Sequence, residues 1–145
     1  MKNIKILIIC TGNTCRSQMA EGFLKSFDKR LEVHSAGTSA EGEINKYAVK
    51  AMNEVGIDIS KQVPEPVEKY LSDEFDYVIT VCDGAKEACP VFTGKVNNRL
   101  HIGFEDPAVA RGTEEEVMPV YRKVRNEINK AFRSFYENEL KPKLQ

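Results

Sequence analysis

Apolar residues recur along this chain in two rhythms. Short, nearly unbroken runs at residues 5–9, 32–35, 77–81 and 100–102 have the length and composition of strands covered on both faces. Between them the spacing turns helical. Met19, Phe23 and Phe27, with Ala20 and Leu24, form one stripe. A second stripe, Ala48, Val49, Met52 and Val55, is opened by Asn45 as a cap and closed by Gly56. A shorter helix is expected over residues 67–71. The last helix carries Val117, Val120, Tyr121, Val124, Ile128, Ala131, Phe132 and Phe135, and Thr113 and Glu116 stand at capping-box spacing before it. Pro119 should disturb that helix, so a short first turn or a start near Pro119 is expected.

Strands alternating with helices predict an α/β sandwich around a parallel sheet. In such folds ligands bind beyond the carboxyl ends of the strands. Cys10 follows the first strand, Ser35 ends the second, Cys82 follows the third and Asp106 lies past the fourth. Chain position alone therefore brings these four residues to one edge of the sheet.

Composition narrows the setting. The 145 residues are enough for one domain, and neither a repeat nor a linker marks an internal boundary, so residues 1–145 are read as a single domain. Lys and Arg number 21 against 22 Asp and Glu, a net charge of -1 that argues against a general nucleic-acid binder. Lys2 and Lys5 precede an apolar run, but the run from Ile6 stops at Cys10, short of a secretory core, and no stretch has the length of a membrane span. The reading is a cytoplasmic protein without membrane contact. In that compartment four cysteines point to catalysis, redox exchange or metal binding before static cross-links.

The densest chemistry lies at Cys10-Thr11-Gly12-Asn13-Thr14-Cys15-Arg16-Ser17, a Cys-x5-Arg-Ser loop between a strand and a helix. The backbone N–H groups of such a loop can converge at the positive end of the following helix, cradling a tetrahedral oxyanion over Thr11 to Arg16. Gly12 is expected to take a backbone conformation that a side chain would hinder. Arg16 offers a fork for two anion oxygens, and its charge, with the helix terminus, favours a Cys10 thiolate. Ser17 can hydrogen-bond the sulfur. Cys-x5-Arg alone says little. The strand before it, the glycine within it, the serine after it and the helix beyond it give it weight. Asp106, restrained by Pro107, is the candidate general acid, and Glu105 is the competing choice. Neither His34 nor His101 has a Cys or His neighbour at zinc-ligand spacing.

Cys10–Ser17, "SAGT" at residues 35–38 and "DPA" at 106–108 resemble the low-molecular-weight protein tyrosine phosphatase fold. The sequence is more similar still to the thioredoxin-coupled arsenate reductases built on that fold, through "CTGNTCRSQMAEG", "VKAMNEVGIDIS", "VITVCDGAKEACP" and "GFEDPA" with "ARGTEEE". The resemblance covers nearly the whole chain. It implies a three-layer sandwich with a central four-stranded parallel sheet, and reduction of arsenate to arsenite in arsenic detoxification. It also implies a relay. Arsenate on Cys10 is resolved when Cys82 attacks the Cys10 sulfur, and Cys89 then attacks Cys82, leaving a redox-active Cys82–Cys89 disulfide for thioredoxin. Gly84 and the polar stretch to Asn98 are expected to refold during that exchange. A monomer is expected.

Ala108 stands where the phosphatases carry a tyrosine that embraces an aromatic substrate, which weakens the phosphotyrosine alternative. Cys15 is read as structural, and Ile102, in place of a tryptophan common before "GF", as packing. Some relatives hold potassium through residues matching Asn13, Glu21, Ser35 and an aspartate that is Glu65 here. No other cofactor is implied. A non-catalytic arsenite or soft-metal binder using Cys10, Cys82 and Cys89 would leave Arg16 and Asp106 unexplained, and a redox-sensing module would not need an oxyanion cradle.

Overall fold

The computed structural model describes residues 3–40, 42–83 and 91–144. Four parallel strands form the sheet: β1 (Ile4–Cys10), β2 (Leu31–Gly37), β3 (Glu74–Thr80) and β4 (Lys95–His101), in the order β2-β1-β3-β4. The helices are α1 (Arg16–Phe27), α2 (Lys46–Asn53) and α3 (Glu114–Phe135), with 3₁₀ turns at Val67–Tyr70 and Pro107–Val109. The chain ends in a π turn, Tyr136–Leu140, and a final helical turn, Lys141–Leu144.

The near-continuous apolar run of β1 reflects burial on both faces. Ile4, Ile6, Ile8 and Cys10 point into a core shared with Met19, Phe23 and Leu24 of α1, Met52 of α2, and Val124, Ile128 and Phe132 of α3. Leu7 and Ile9 point the other way, against Tyr70, Phe75, Val78 and Phe92. Each such side chain, removed from water, contributes roughly 1.5–3 kcal/mol. Because β1 has β2 on one side and β3 on the other, its carboxyl end opens at the point where strand order reverses. Open α/β sheets place their ligands there.

Three expectations need correction. The fourth strand is not buried at 100–102. It runs Lys95–His101 along the open edge of the sheet, and its side chains are mostly exposed. An edge strand facing water lacks the apolar run by which a strand is recognised, so its polar first half reads as loop. Residues 95–98, the end of the stretch expected to refold, are strand here, paired with β3 from Glu74–Lys95 onward. Cys89 and Gly84 lie outside the described residues.

The second correction concerns Pro119. Helix α3 starts at Glu114 and passes through it. Thr113 donates its N–H to the Glu116 carboxylate at 3.1 Å, which secures the first turn. Pro119 sits on the exposed face, where the Glu115 carbonyl it leaves unbonded can turn to water. Third, α2 ends at Asn53, so Val55 lies in the following turn and is 44% exposed. Its amino end is as expected: Asn45 Oδ1 accepts from the N–H groups of Tyr47 and Ala48 at 2.8 and 3.1 Å.

Candidate active site

The β1 run stops at Cys10, and the chain turns back through residues 11–15 into α1. Cys10, Thr11, Gly12, Asn13, Thr14, Cys15, Arg16 and Asp106 line one cavity of about 240 Å³. The loop is tied to its neighbours by backbone. Thr38 N–H donates to Cys10 O at 3.3 Å, Ser39 N–H to Thr11 O at 2.9 Å, and Asn45 N–H to Thr14 O at 2.9 Å. Gly37 permits this approach, because a Cβ there would come within 2.4 Å of Thr11 O.

The loop's unusual backbone is not at Gly12. Asn13 is the residue in the left-handed region, with φ of 56°, and a Cβ on Gly12 would meet only Thr14 Oγ1, at 3.8 Å. Asparagine tolerates that conformation when its side chain is bonded locally, and Asn13 is bonded on every side. Its Nδ2 donates to Ser17 Oγ at 2.7 Å and to Ser35 Oγ at 2.9 Å, while its Oδ1 accepts from Glu65 N–H at 2.8 Å. Its own N–H points at Cys10 Sγ, 3.3 Å away. Ser17 Oγ lies 3.1 Å from the same sulfur. The nucleophile candidate thus faces two hydrogen-bonding groups and is only 3% exposed.

Arg16 and Asp106 close the far wall. The Arg16 guanidinium donates to Phe104 O at 3.1 Å and stands 3.7 Å from Asp106 Oδ2. The other Asp106 oxygen accepts from Ala108 N–H at 2.9 Å, capping the Pro107–Val109 turn. Phe104 N–H in turn donates to Val81 O at 3.1 Å. One hydrogen-bonded line therefore runs from Arg16 to the residue preceding Cys82. Cys82 is fully buried and disulfide-bonded, whereas Cys10 and Cys15 are free thiols. Glu105 is absent from the cavity lining and pairs with Lys123 at 3.3 Å on the surface. His34 and His101 are elsewhere, beside Glu32 and Thr80.

Cys15 caps α1 by position and lines the cavity beside Cys10. Burial pushes its thiol well above the ordinary value, the Asp106 charge adds to this, and Arg16 opposes it. Tyr121, whose hydroxyl accepts from Asn45 Nδ2 at 3.0 Å, is pushed up to about 12, chiefly by burial.

The four residues matched to a potassium site do not form a cation cage. Ser35 Oγ donates to Glu21 Oε1 at 2.6 Å, and the Lys25 ammonium pairs with the other Glu21 oxygen. The Glu65 carboxylate pairs with Lys69 at 3.1 Å, and Asn13 Oδ1 is engaged by a backbone N–H. Ammonium groups already meet both carboxylates, so this donor set does not fit a bound potassium ion. Among the described residues no group of three His, Cys, Asp or Glu side chains is placed to hold a metal ion.

Gln18 is the residue that sequence reasoning overlooked. It is fully buried, and its Nε2 donates to Asn13 O at 2.9 Å and Val63 O at 3.1 Å, while its Oε1 accepts from Gln62 at 2.7 Å. It therefore fastens the 62–65 segment to the loop. It is one of several polar residues buried in the first turns of α1, with Arg16, Ser17 and Glu21, off the apolar stripe that marks the helix in the sequence.

Comparison with known proteins places these features in context. The model of the low molecular weight phosphotyrosine protein phosphatases matches residues 5–145. An arsenate reductase of Shouchella clausii is 49% identical over 133 residues, spanning 91% of this chain and 94% of that protein. A solved arsenate reductase in oxidized state is 31% identical, with a TM-score of 0.73 over 92% of this chain and 95% of that one. The Corynebacterium glutamicum thioredoxin-dependent arsenate reductase is 28% identical, with a TM-score of 0.56 over 92% of this chain and 63% of that one. Among the described residues no helix is long and apolar enough to cross a membrane.

Proposed function

The chain belongs to the low-molecular-weight phosphotyrosine protein phosphatase family, and on that premise we propose that it is an arsenate reductase recycled by thioredoxin. Its relatives of that activity support the substrate, and the Corynebacterium protein supports the reductant.

The steps use Cys10, Arg16, Asp106 and Cys82, described above, and Cys89, which lies outside the described residues. Arsenate enters the 240 Å³ cavity, where Arg16 and the loop N–H groups hold its oxygens. The Cys10 thiolate attacks arsenic. An arsenic–oxygen bond breaks, and Asp106 delivers the proton with which that oxygen leaves as water. The Cys82 thiolate then attacks Cys10 Sγ. A disulfide forms, the sulfur–arsenic bond breaks, and its electron pair stays on arsenic, which falls from the +5 to the +3 state. Cys89 next attacks Cys82 and frees Cys10, and a thioredoxin dithiol reduces the Cys82–Cys89 bond.

One observation carries this reading. Cys82 is disulfide-bonded one residue past Val81, whose carbonyl bonds the same Phe104 that Arg16 of the anion cradle bonds, while the cradle's own nucleophile, Cys10, is still a free thiol. Hydrolysis of a phosphate ester uses Cys10, Arg16 and Asp106 but gives Cys82 no electrons to carry.

The decisive assay mixes the protein with arsenate, thioredoxin, thioredoxin reductase and NADPH. NADPH loss should depend on arsenate and vanish in Cys10→Ser. Vigorous hydrolysis of p-nitrophenyl phosphate without arsenate-dependent NADPH loss would return the protein to the phosphatases. Tight binding of arsenite without turnover would make it a thiol-based sequestering protein.

A further inference from the structure

The proposed reaction has no use for Cys15, yet this thiol lines the same small cavity as Cys10, five residues along the same loop, and both thiols are free. From this geometry we infer that the anion loop is also a binding site for trivalent arsenicals, bridged between Cys10 and Cys15.

The chemistry is that of a soft, oxygen-bearing centre meeting two thiols. As(OH)₃ reacts with Cys10–SH and Cys15–SH so that two arsenic–oxygen bonds break and two arsenic–sulfur bonds form. The thiol protons leave with the hydroxyls as two waters. Arsenic stays in the +3 state and no electrons move, so no co-reactant is needed. The raised pKa of Cys15 fits this role, since a protonated thiol carries its own proton to the departing hydroxyl. A second anchor in one site converts a weak single bond into a chelate, and linked contacts of this kind raise avidity by ~10²–10⁴-fold.

The state of Cys82 decides when the site is open. When arsenite is released in the proposed relay, Cys10 is tied to Cys82 and cannot rebind it. Once the disulfide has moved away from Cys10, both loop thiols are again free, as they are here with Cys82 disulfide-bonded. Product can then close the cradle from solution and compete with arsenate. The biological meaning rests on the proposed reduction, which would generate the ligand, but the bridging itself does not.

The experiment uses the oxidised full-length protein, which cannot turn over, titrated with sodium arsenite and separately with phenylarsine oxide. Intact mass should show one arsenic per chain. Both free thiols should lose reactivity toward a disulfide reagent, and a small dithiol should restore them. Digestion with trypsin leaves Cys10 and Cys15 on one peptide, residues 6–16, so the bridged mass can be read there without any variant. Cys15→Ser should weaken arsenical binding by about 10²-fold, with its fold checked by phosphate protection of Cys10 from alkylation. Equal affinity in Cys15→Ser, arsenic bound while Cys15 stays reactive, or no adduct on that peptide would each overturn the inference. Bridging without arsenate turnover would sink the reductase reading alone, whereas turnover without bridging would sink this one alone.

Discussion

Asp106 and Glu105 are chain neighbours with different surroundings. Asp106 faces the cavity beside Arg16, while Glu105 reaches outward to Lys123. Asp106→Asn keeps the cap on Ala108 but cannot deliver a proton. It should lower the rate of the first thiol–arsenic step by ~10²–10⁴-fold, with phosphate protection of Cys10 little changed. Glu105→Gln should leave that rate within about twofold. A rapid-quench measurement of adduct formation separates the two, and damage by Glu105→Gln instead would name the wrong acid. Arg16→Lys should lower kcat/KM for arsenate by ~10²-fold or more, comparable to losing an oxyanion donor. A single ammonium cannot bond Phe104 O, stand beside Asp106 and still grip two anion oxygens. Steady-state kinetics under the thioredoxin couple reads this loss directly.

At the scale of elements, the turn between α1 and β2 is locked to the end of the chain. Asp28 accepts from Arg30 Nε at 3.0 Å and NH2 at 2.8 Å, and from the Tyr136 hydroxyl at 2.7 Å; Arg30 NH1 reaches Leu144 O at 2.9 Å. The Arg30 guanidinium, with the tyrosine hydroxyl, holds the Asp28 carboxyl far below the usual carboxylate range. A carboxyl whose folded value is depressed stabilises the protein above its unfolded pKa near ~3.9, and this is lost as pH falls toward the folded value. Asp28→Asn should therefore lower Tm at neutral pH by about 3–6 °C. The gap from wild type should narrow as the pH drops below ~4. Thermal melts of both proteins at neutral and acidic pH check this, and a gap independent of pH would assign the loss to packing alone.

For the whole molecule, the two late cysteines should fail at different stages of the proposed relay. Cys82→Ser can still add arsenate to Cys10 but has no thiol to resolve it, so no Cys10–Cys82 disulfide forms. Cys89→Ser should release about one arsenite per chain and stop. It should stop with Cys10 tied to Cys82, at sites 3% and 0% exposed, where thioredoxin has little access. Mass spectrometry of alkylated peptides after a single turnover reads both outcomes. Sustained thioredoxin-linked turnover in Cys89→Ser would break this order.

The sequence by itself determined the elements whose apolar positions repeat: β1, the faces of α1 and α3, and the Asn45 cap of α2. It also determined the Cys10–Ser17 loop, because a nucleophile, a fork and a helix start are close neighbours in the chain. The rest was decided by contacts between distant segments. The polar edge strand β4 gains its ladder only from β3, and Pro119 is tolerated because its exposed face leaves the freed carbonyl to water. Asn13, not Gly12, takes the left-handed conformation because Ser17, Ser35 and Glu65 bond its side chain, the last from 52 residues away. Cys15 meets Cys10 across one cavity for the same kind of reason: side-chain direction is set by the packed fold, and spacing along the chain does not encode it.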